Sequence, residues 1–263
     1  MSDSIDHRLT RRQFAALVAV LALPRALAGC DPATNNGPLL QGSARLTSRP
    51  GTPTETVSAG SHALGLGSSR DGLLYVPQGY SPGTPAPLVL ALHGSTGAAI
   101  NMVDLLSPYA DTNGFLILAV DSRNSTWDGI QGAFGVDIAF IDSALQWAFQ
   151  RCSVDPNRVI VDGVSDGATY SLALALPNGD LFRRAVAHSP AAIHESNAPR
   201  LGKPEFFVSH GTNDTVIPVE RSRNDIVPAL RADGYTVDYL EFDGGHEVPP
   251  AVAQAAVTWF LRP

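Results

Sequence analysis

Beyond about residue 60 the chain alternates short apolar runs with stretches whose apolar residues recur every three or four positions. The runs at 73–77, 88–93, 115–120, 158–162, 185–188, 206–209 and 237–242 are predicted strands, rich in Leu, Val, Ile and Phe. The run at 88–93 is apolar up to its closing His93-Gly94, the mark of a central strand buried on both faces. Helical periodicity fills 99–112, 136–151, 167–176, 219–233 and 250–262, and the last sets Val252, Ala256, Trp259 and Phe260 on one face. Strand and helix in alternation predict an α/β fold, a mainly parallel central sheet flanked by helices.

Residues 1–55 break this pattern. Residues 1–29 combine a basic start (His7, Arg8, Arg11, Arg12) with an apolar run over 14–23 too short for a permanent membrane span, so they read as an export signal. Thr10-Arg11-Arg12-Gln13-Phe14 resembles the twin-arginine export motif, and Leu27-Ala28-Gly29-Cys30 resembles a bacterial lipobox. That resemblance implies cleavage before Cys30, its acylation, and a lipid anchor holding an exported protein to a membrane of the cell envelope. Residues 30–55, dominated by Pro, Gly, Thr, Asn and Ser, are expected to form a flexible tether, and 56–263 the folded domain.

Composition narrows the function classes. Of 263 residues 44% are hydrophobic and 16% charged, ample for a packed core and unlike a disordered chain. A formal net charge of −7 argues against a nucleic-acid-binding surface. Lys203 is the only lysine, which leaves no P-loop or Schiff-base lysine elsewhere. Two cysteines, Cys30 and Cys152, do not make a disulfide framework.

The candidate chemistry starts at Gly163-Val164-Ser165-Asp166-Gly167, a G-x-S-x-G between a predicted strand and a predicted helix. In that setting the turn is too sharp for side chains at 163 and 167, and Ser165 projects above the carboxyl edge of the sheet. A serine hydroxyl needs a base to take its proton and an acid to orient that base. Of seven histidines, His246 follows a late strand inside the glycine-rich Asp243-Gly244-Gly245-His246. Asp214, in Ser209-His210-Gly211-Thr212-Asn213-Asp214, supplies the acid in the order Ser165, Asp214, His246, with Asp243 the alternative. His210 is expected to bond the Asp214 loop, and His188 to end a strand beside the site.

Backbone N–H groups must also face the developing oxyanion. The expected donors are Asp166, next to the serine, and Ser95 in His93-Gly94-Ser95-Thr96-Gly97, with Thr96 as the alternative to Ser95. His93 is expected to brace this loop rather than act as a base. Trp127 and Phe134, on the loop after the strand at 115–120, are candidate walls of a substrate site. The link over 190–204 is too short for a large cap domain, so the site is expected to be open.

Leu92-His93-Gly94-Ser95, Val154-Asp155-Pro156-Asn157-Arg158-Val159, the serine motif, His210-Gly211-Thr212-Asn213-Asp214 and Gly244-Gly245-His246 occur in order along most of the domain. With them the chain resembles the α/β-hydrolase superfamily, in particular its carboxylesterase/phospholipase-like and polyhydroxyalkanoate-depolymerase-like serine esterases. The resemblance implies hydrolysis of a small-molecule or polymeric ester through an acyl-enzyme, with no metal and no organic cofactor. It departs from the depolymerase-like enzymes at Ser95, where they often carry a cysteine. Their cysteine before Val-Asp-Pro corresponds to Cys152, which is expected to be a buried thiol because Cys30 carries lipid. A serine peptidase or amidase on the same fold, and a non-catalytic surface-binding lipoprotein, are the other readings.

Overall fold

A computed structural model describes residues 40–263; the export signal over 1–29, Cys30 and the first part of the expected tether lie outside the described residues. Within the described residues eight strands form one sheet: β1 Gly60–Ala63, β2 Gly72–Val76, β3 Ala86–Leu92, β4 Leu116–Val120, β5 Val154–Val164, β6 Phe182–His188, β7 Glu205–Gly211 and β8 Val237–Phe242. Their order is β1-β2-β4-β3-β5-β6-β7-β8, antiparallel at β1–β2 and β2–β4 and parallel across the rest. Among the described residues five α-helices accompany them: α1 Ala99–Asn113, α2 Val136–Arg151, α3 Asp166–Ala175, α4 Val227–Ala232 and α5 Pro250–Leu261.

Alternation along the strands sorts the core into two layers. Leu88, Leu90, Leu92, Val159, Val161, Ala185 and Val208 face α2 and α3, whose Ala144, Leu145, Tyr170 and Leu172 close that side. Val89, Ala91, Ile117, Ile160, Val186 and Phe207 face α1 and α5, meeting Met102, Val103, Leu106, Val257 and Phe260. Both faces being covered, every residue of Ala86–Leu92 is buried, which is why that run is apolar without alternation.

The tether expected over 30–55 does not hold for its described part. Residues 40–55 form a strap on the domain: Ala44 and Leu46 are fully buried, and Leu46 N–H donates to Asn178 Oδ1 at 2.8 Å. Arg45 pairs with Asp180 through both guanidinium ends (2.5 and 2.7 Å), and Asp142 on α2 accepts from the backbone of Thr47 and Ser48 at 2.8 Å. The segment lacks periodicity because long-range polar bonds, rather than a helix or strand, hold it. The helix expected over 219–233 begins instead as a π-helical turn, Arg221–Ile226, leading into α4. Val227 N–H reaches back to Ser222 O, and Pro228 that follows has no N–H to continue the α ladder. Residues 189–204 between β6 and β7 carry no helix or strand, so no cap domain enters there.

Candidate active site

β5 ends at Val164 and α3 begins at Asp166, which leaves Ser165 alone at the turn with φ 58° and ψ −120°. This left-handed backbone is strained for a residue with a side chain. Its N–H is tied to His188 O on β6 at 2.8 Å. The flanking glycines are a steric requirement. A Cβ at Gly163 would lie 2.1 Å from Gly167 O, and one at Gly167 would lie 2.1 Å from Leu92 O.

The loops after β7 and β8 bring the other two residues to the serine. His246 Nδ1–H donates to Asp214 Oδ2 at 2.7 Å, which leaves Nε2 to accept the Ser165 hydroxyl proton across 2.9 Å. Asp214 Oδ1 accepts the N–H groups of Val216 and Ile217 at 2.8 and 2.9 Å. Burial works to raise the Asp214 pKa, but the bonds from His246, Ile217 and Val216 outweigh it and hold the carboxyl below its ordinary value. Gly211 permits the close approach of the two loops, since a Cβ there would meet Gly245 O at 2.3 Å.

His210 and His93 take supporting places. His210 Nε2–H donates to Ile217 O at 2.8 Å, so it bonds the Asp214 loop, and its Nδ1 accepts from Ser222 Oγ at 2.7 Å. Asp243 is exposed and accepts from the Asn213 side-chain amide at 2.7 Å; its partner is not His246.

Opposite the serine, the loop after β3 is close enough that a Cβ on Gly94 would sit 3.2 Å from Ser165 Cβ. Thr96 N–H donates to Ser125 O at 2.6 Å and is therefore not free to face an oxyanion. The N–H groups of Ser95 and of Asp166, the first residue of α3, have no acceptor among the described residues. The Asp166 carboxylate is drawn aside by Thr126 Oγ1 at 2.6 Å.

His93 braces this loop. Its Nε2 accepts from Ser122 N–H (3.0 Å) and Arg70 Nη2 (3.1 Å), and Nδ1–H donates to Gly94 O at 2.6 Å. Burial lowers its pKa, and an imidazole receiving two donors at Nε2 is neutral. Arg70 also donates to Gly97 O at 2.8 Å. It lies just before β2, where nothing in its local sequence ties it to the loop after β3.

Trp127 and Phe134 do not wall the site. Trp127 is fully buried, stacks on Tyr170 with ring centroids 5.1 Å apart, and donates its indole N–H to His93 O at 2.9 Å. Phe134 is buried against the same tyrosine. An open cleft of about 320 Å³ lies on the other side of the loop, along Ser95, Asn101, Met102, Leu105, Val164 and Val248. Cys152 is a buried thiol, unpaired among the described residues, and burial pushes its pKa up to about 12.

Comparison with known proteins agrees with this architecture. The chain is 27% identical over 216 residues to feruloyl esterase C of Emericella nidulans, spanning 70% of this chain and 78% of that protein. It is 25% identical over 241 residues to a probable feruloyl esterase C of Aspergillus niger, spanning 78% of this chain and 86% of that one. Among solved structures, the fluorophosphonate-binding serine hydrolase FphF of Staphylococcus aureus shares the fold at TM-score 0.63 with 14% identity, over 79% of this chain and all of that one. Esterase PE8 shares it at TM-score 0.56 with 20% identity, over 73% of this chain and 98% of that one. The family model described as phospholipase/carboxylesterase matches residues 97–260, a stretch running from the oxyanion-side loop through the turn at Ser165 to the last helix. This chain therefore belongs to the phospholipase/carboxylesterase family of α/β-hydrolases and is a carboxylesterase-type hydrolase.

Proposed function

We propose that the protein hydrolyses carboxylic esters through an acyl-enzyme on Ser165. The observation that carries this reading is the unbroken hydrogen-bond chain from Ser165 Oγ through His246 to Asp214, at 2.9 and 2.7 Å. Ser165 Oγ attacks the ester carbonyl as its proton passes to His246 Nε2, and Asp214 steadies the imidazolium through Nδ1–H. The N–H groups of Ser95 and Asp166 receive the oxyanion. His246 then returns the proton to the departing alcohol oxygen. Water enters, gives a proton to His246 and attacks the acyl carbonyl, and His246 passes that proton to Ser165 Oγ as the acid is released.

For the substrate, the cleft beside Ser95 offers Met102, Leu105, Val164 and Val248 to an apolar acyl group. One relative is a feruloyl esterase C and another a probable feruloyl esterase C, so the substrate proposed for this cleft is an aryl-propenoyl ester rather than a long alkyl one. Assay on p-nitrophenyl esters of graded length and on methyl ferulate, beside Ser165→Ala, tests both parts. Turnover lost in the variant supports the serine, and preference for the aryl ester supports the cleft. Turnover that persists in Ser165→Ala overturns the reading.

We also infer that the mature protein begins at Cys30 and is held to a membrane by lipid, on the support of Arg11-Arg12 and Leu27-Ala28-Gly29-Cys30. Cys30→Ser should move the protein from the membrane fraction to the soluble one; an unchanged distribution rejects the anchor.

A further inference from the structure

Directly below the turn at Ser165 lies a second row of polar side chains that the proposed chemistry does not use. Asp162 on β5, His188 on β6 and Ser209 on β7 occupy neighbouring strands, and all three are buried. By strand alternation they point to the same layer as Ile160, Val186 and Phe207, the side covered by α1 and α5. His188 Nδ1 is 2.6 Å from Ser209 Oγ, and His188 Nε2 is 3.6 Å from Asp162 Oδ1. Neither carboxyl oxygen of Asp162 has a hydrogen-bond partner among the described residues.

The two buried aspartates near the nucleophile contrast sharply. Asp214 receives three N–H donors and is built to be ionised. Asp162 receives none, and an ionised carboxylate sealed from water without donors is costly. Among the described residues the surroundings offer no cation. Asp162 is flanked in register by Ala91 on β3 and Val186 on β6. Further along β3, His93 is neutral and held by Ser122 and Arg70. Of α1, Asp104 and Asp111 are exposed and Tyr109 is bonded to Pro250 O, while α5 carries no titratable residue. On α3, Asp166 is held by Thr126 and Tyr170 by Asp128. At the sheet edge stand Asp214, Asp243, His246 and Glu247. His188 remains as the acceptor for a proton on Asp162.

We propose that Asp162 is a positioning residue for the nucleophile, a neutral carboxylic acid whose O–H points at His188 Nε2 and whose ionisation slows ester hydrolysis. The orientation it imposes is directional. The acid O–H faces Nε2, so Nδ1–H donates to Ser209 Oγ, and the imidazole is fixed in one tautomer. The same residue, His188, supplies the carbonyl that holds the Ser165 N–H at 2.8 Å and so supports the strained turn. When Asp162 releases its proton to solvent, the imidazole must present Nε2–H to the carboxylate and Nδ1 to the Ser209 hydroxyl. A negative charge then sits three residues below Ser165 and opposes the oxyanion. Burial pushes Asp162 up to about 8 and His188 down to about 4, in keeping with a neutral pair at neutral pH.

This inference rests on Ser165 being the nucleophile, and its test separates the two. The pH dependence of kcat and KM is measured on an activated ester for the wild type, Asp162→Asn and Asp162→Val, with Ser165→Ala as the blank. Absence of Ser165-dependent turnover rejects the proposed function itself. Given such turnover, the wild type should lose on the order of tenfold in kcat through an alkaline limb centred near pH 8, with KM little changed. Asp162→Asn, which keeps an uncharged polar group facing Nε2 at every pH, should keep most of the neutral-pH rate and lack that limb; Asp162→Val should lack it too. A wild-type profile flat between about pH 7 and 9 overturns the proposal without any variant. So does the same limb in either variant, or a folded Asp162→Asn enzyme inactive at pH 7.

Discussion

The work of an aspartate in this protein is set by the N–H groups around it. Asp214 accepts from His246, Val216 and Ile217, whereas exposed Asp243, three residues before His246, accepts from Asn213. Asp214→Asn should present an amide to His246, favour the wrong tautomer and lower kcat by about 10³–10⁴. Asp243→Asn should change it by less than about twofold. Equal losses in both variants, measured on one ester, would remove Asp214 from its role. Ser165, Asp214 and His246 are legible in the sequence because each lies among glycines after a strand, and the order of the three is itself a signal. Trp127 is not. An aromatic in a loop reads the same whether it faces a cleft or turns under it, and only its bond to His93 O and its stacking on Tyr170 reveal the second. Trp127→Ala should therefore cost about 3–5 kcal/mol in unfolding free energy while leaving acyl preference unchanged. A changed preference with little loss of stability would return Trp127 to the substrate.

Among the elements, the central strands are the most legible part of the fold, since burial on both faces requires continuous apolar runs. β1 escapes prediction for the converse reason: Gly60–Ala63 is an edge strand whose residues are exposed or half-buried by turns. The strap over 40–55 escapes because its partners are remote. Asn178, Asp180 and Asp142 lie more than ninety positions away in the chain, and a local pattern cannot register them. Its anchor is Leu46, fully buried in the layer with α2 and α3. Leu46→Ala should cost about 2–5 kcal/mol, read as a lower urea midpoint at unchanged slope. Arg45→Ala should cost only about 1 kcal/mol or less, because the Arg45–Asp180 pair is about one-third exposed. Wild-type stability in Leu46→Ala would show that the strap contributes little to the fold.

At the scale of the whole molecule, the parallel sheet delivers Ser165, Asp214 and His246 to one edge while enclosing Asp162 and His188 just below it. That enclosure links the proton balance of the site to the stability of the chain. Above about pH 4 the unfolded chain has released the Asp162 proton that the native state keeps until about pH 8, so this group makes stability fall as pH rises across that window. His188 acts with the opposite sign. The unfolded chain keeps its proton up to about pH 6.5, the native state has lost it above about pH 4, and stability rises between them. The two slopes cancel between about pH 4 and 6.5, where native and unfolded pairs each hold one proton. From about pH 6.5 to 8 only the Asp162 slope remains, about 1.4 kcal/mol per pH unit and about 2 kcal/mol in all. Denaturant unfolding of the wild type across this range should show that decline, and Asp162→Asn should gain on the wild type continuously from about pH 4 to 8. Parallel stability curves for the two proteins would mean that Asp162 is already ionised in the native state, and that another group neutralises it.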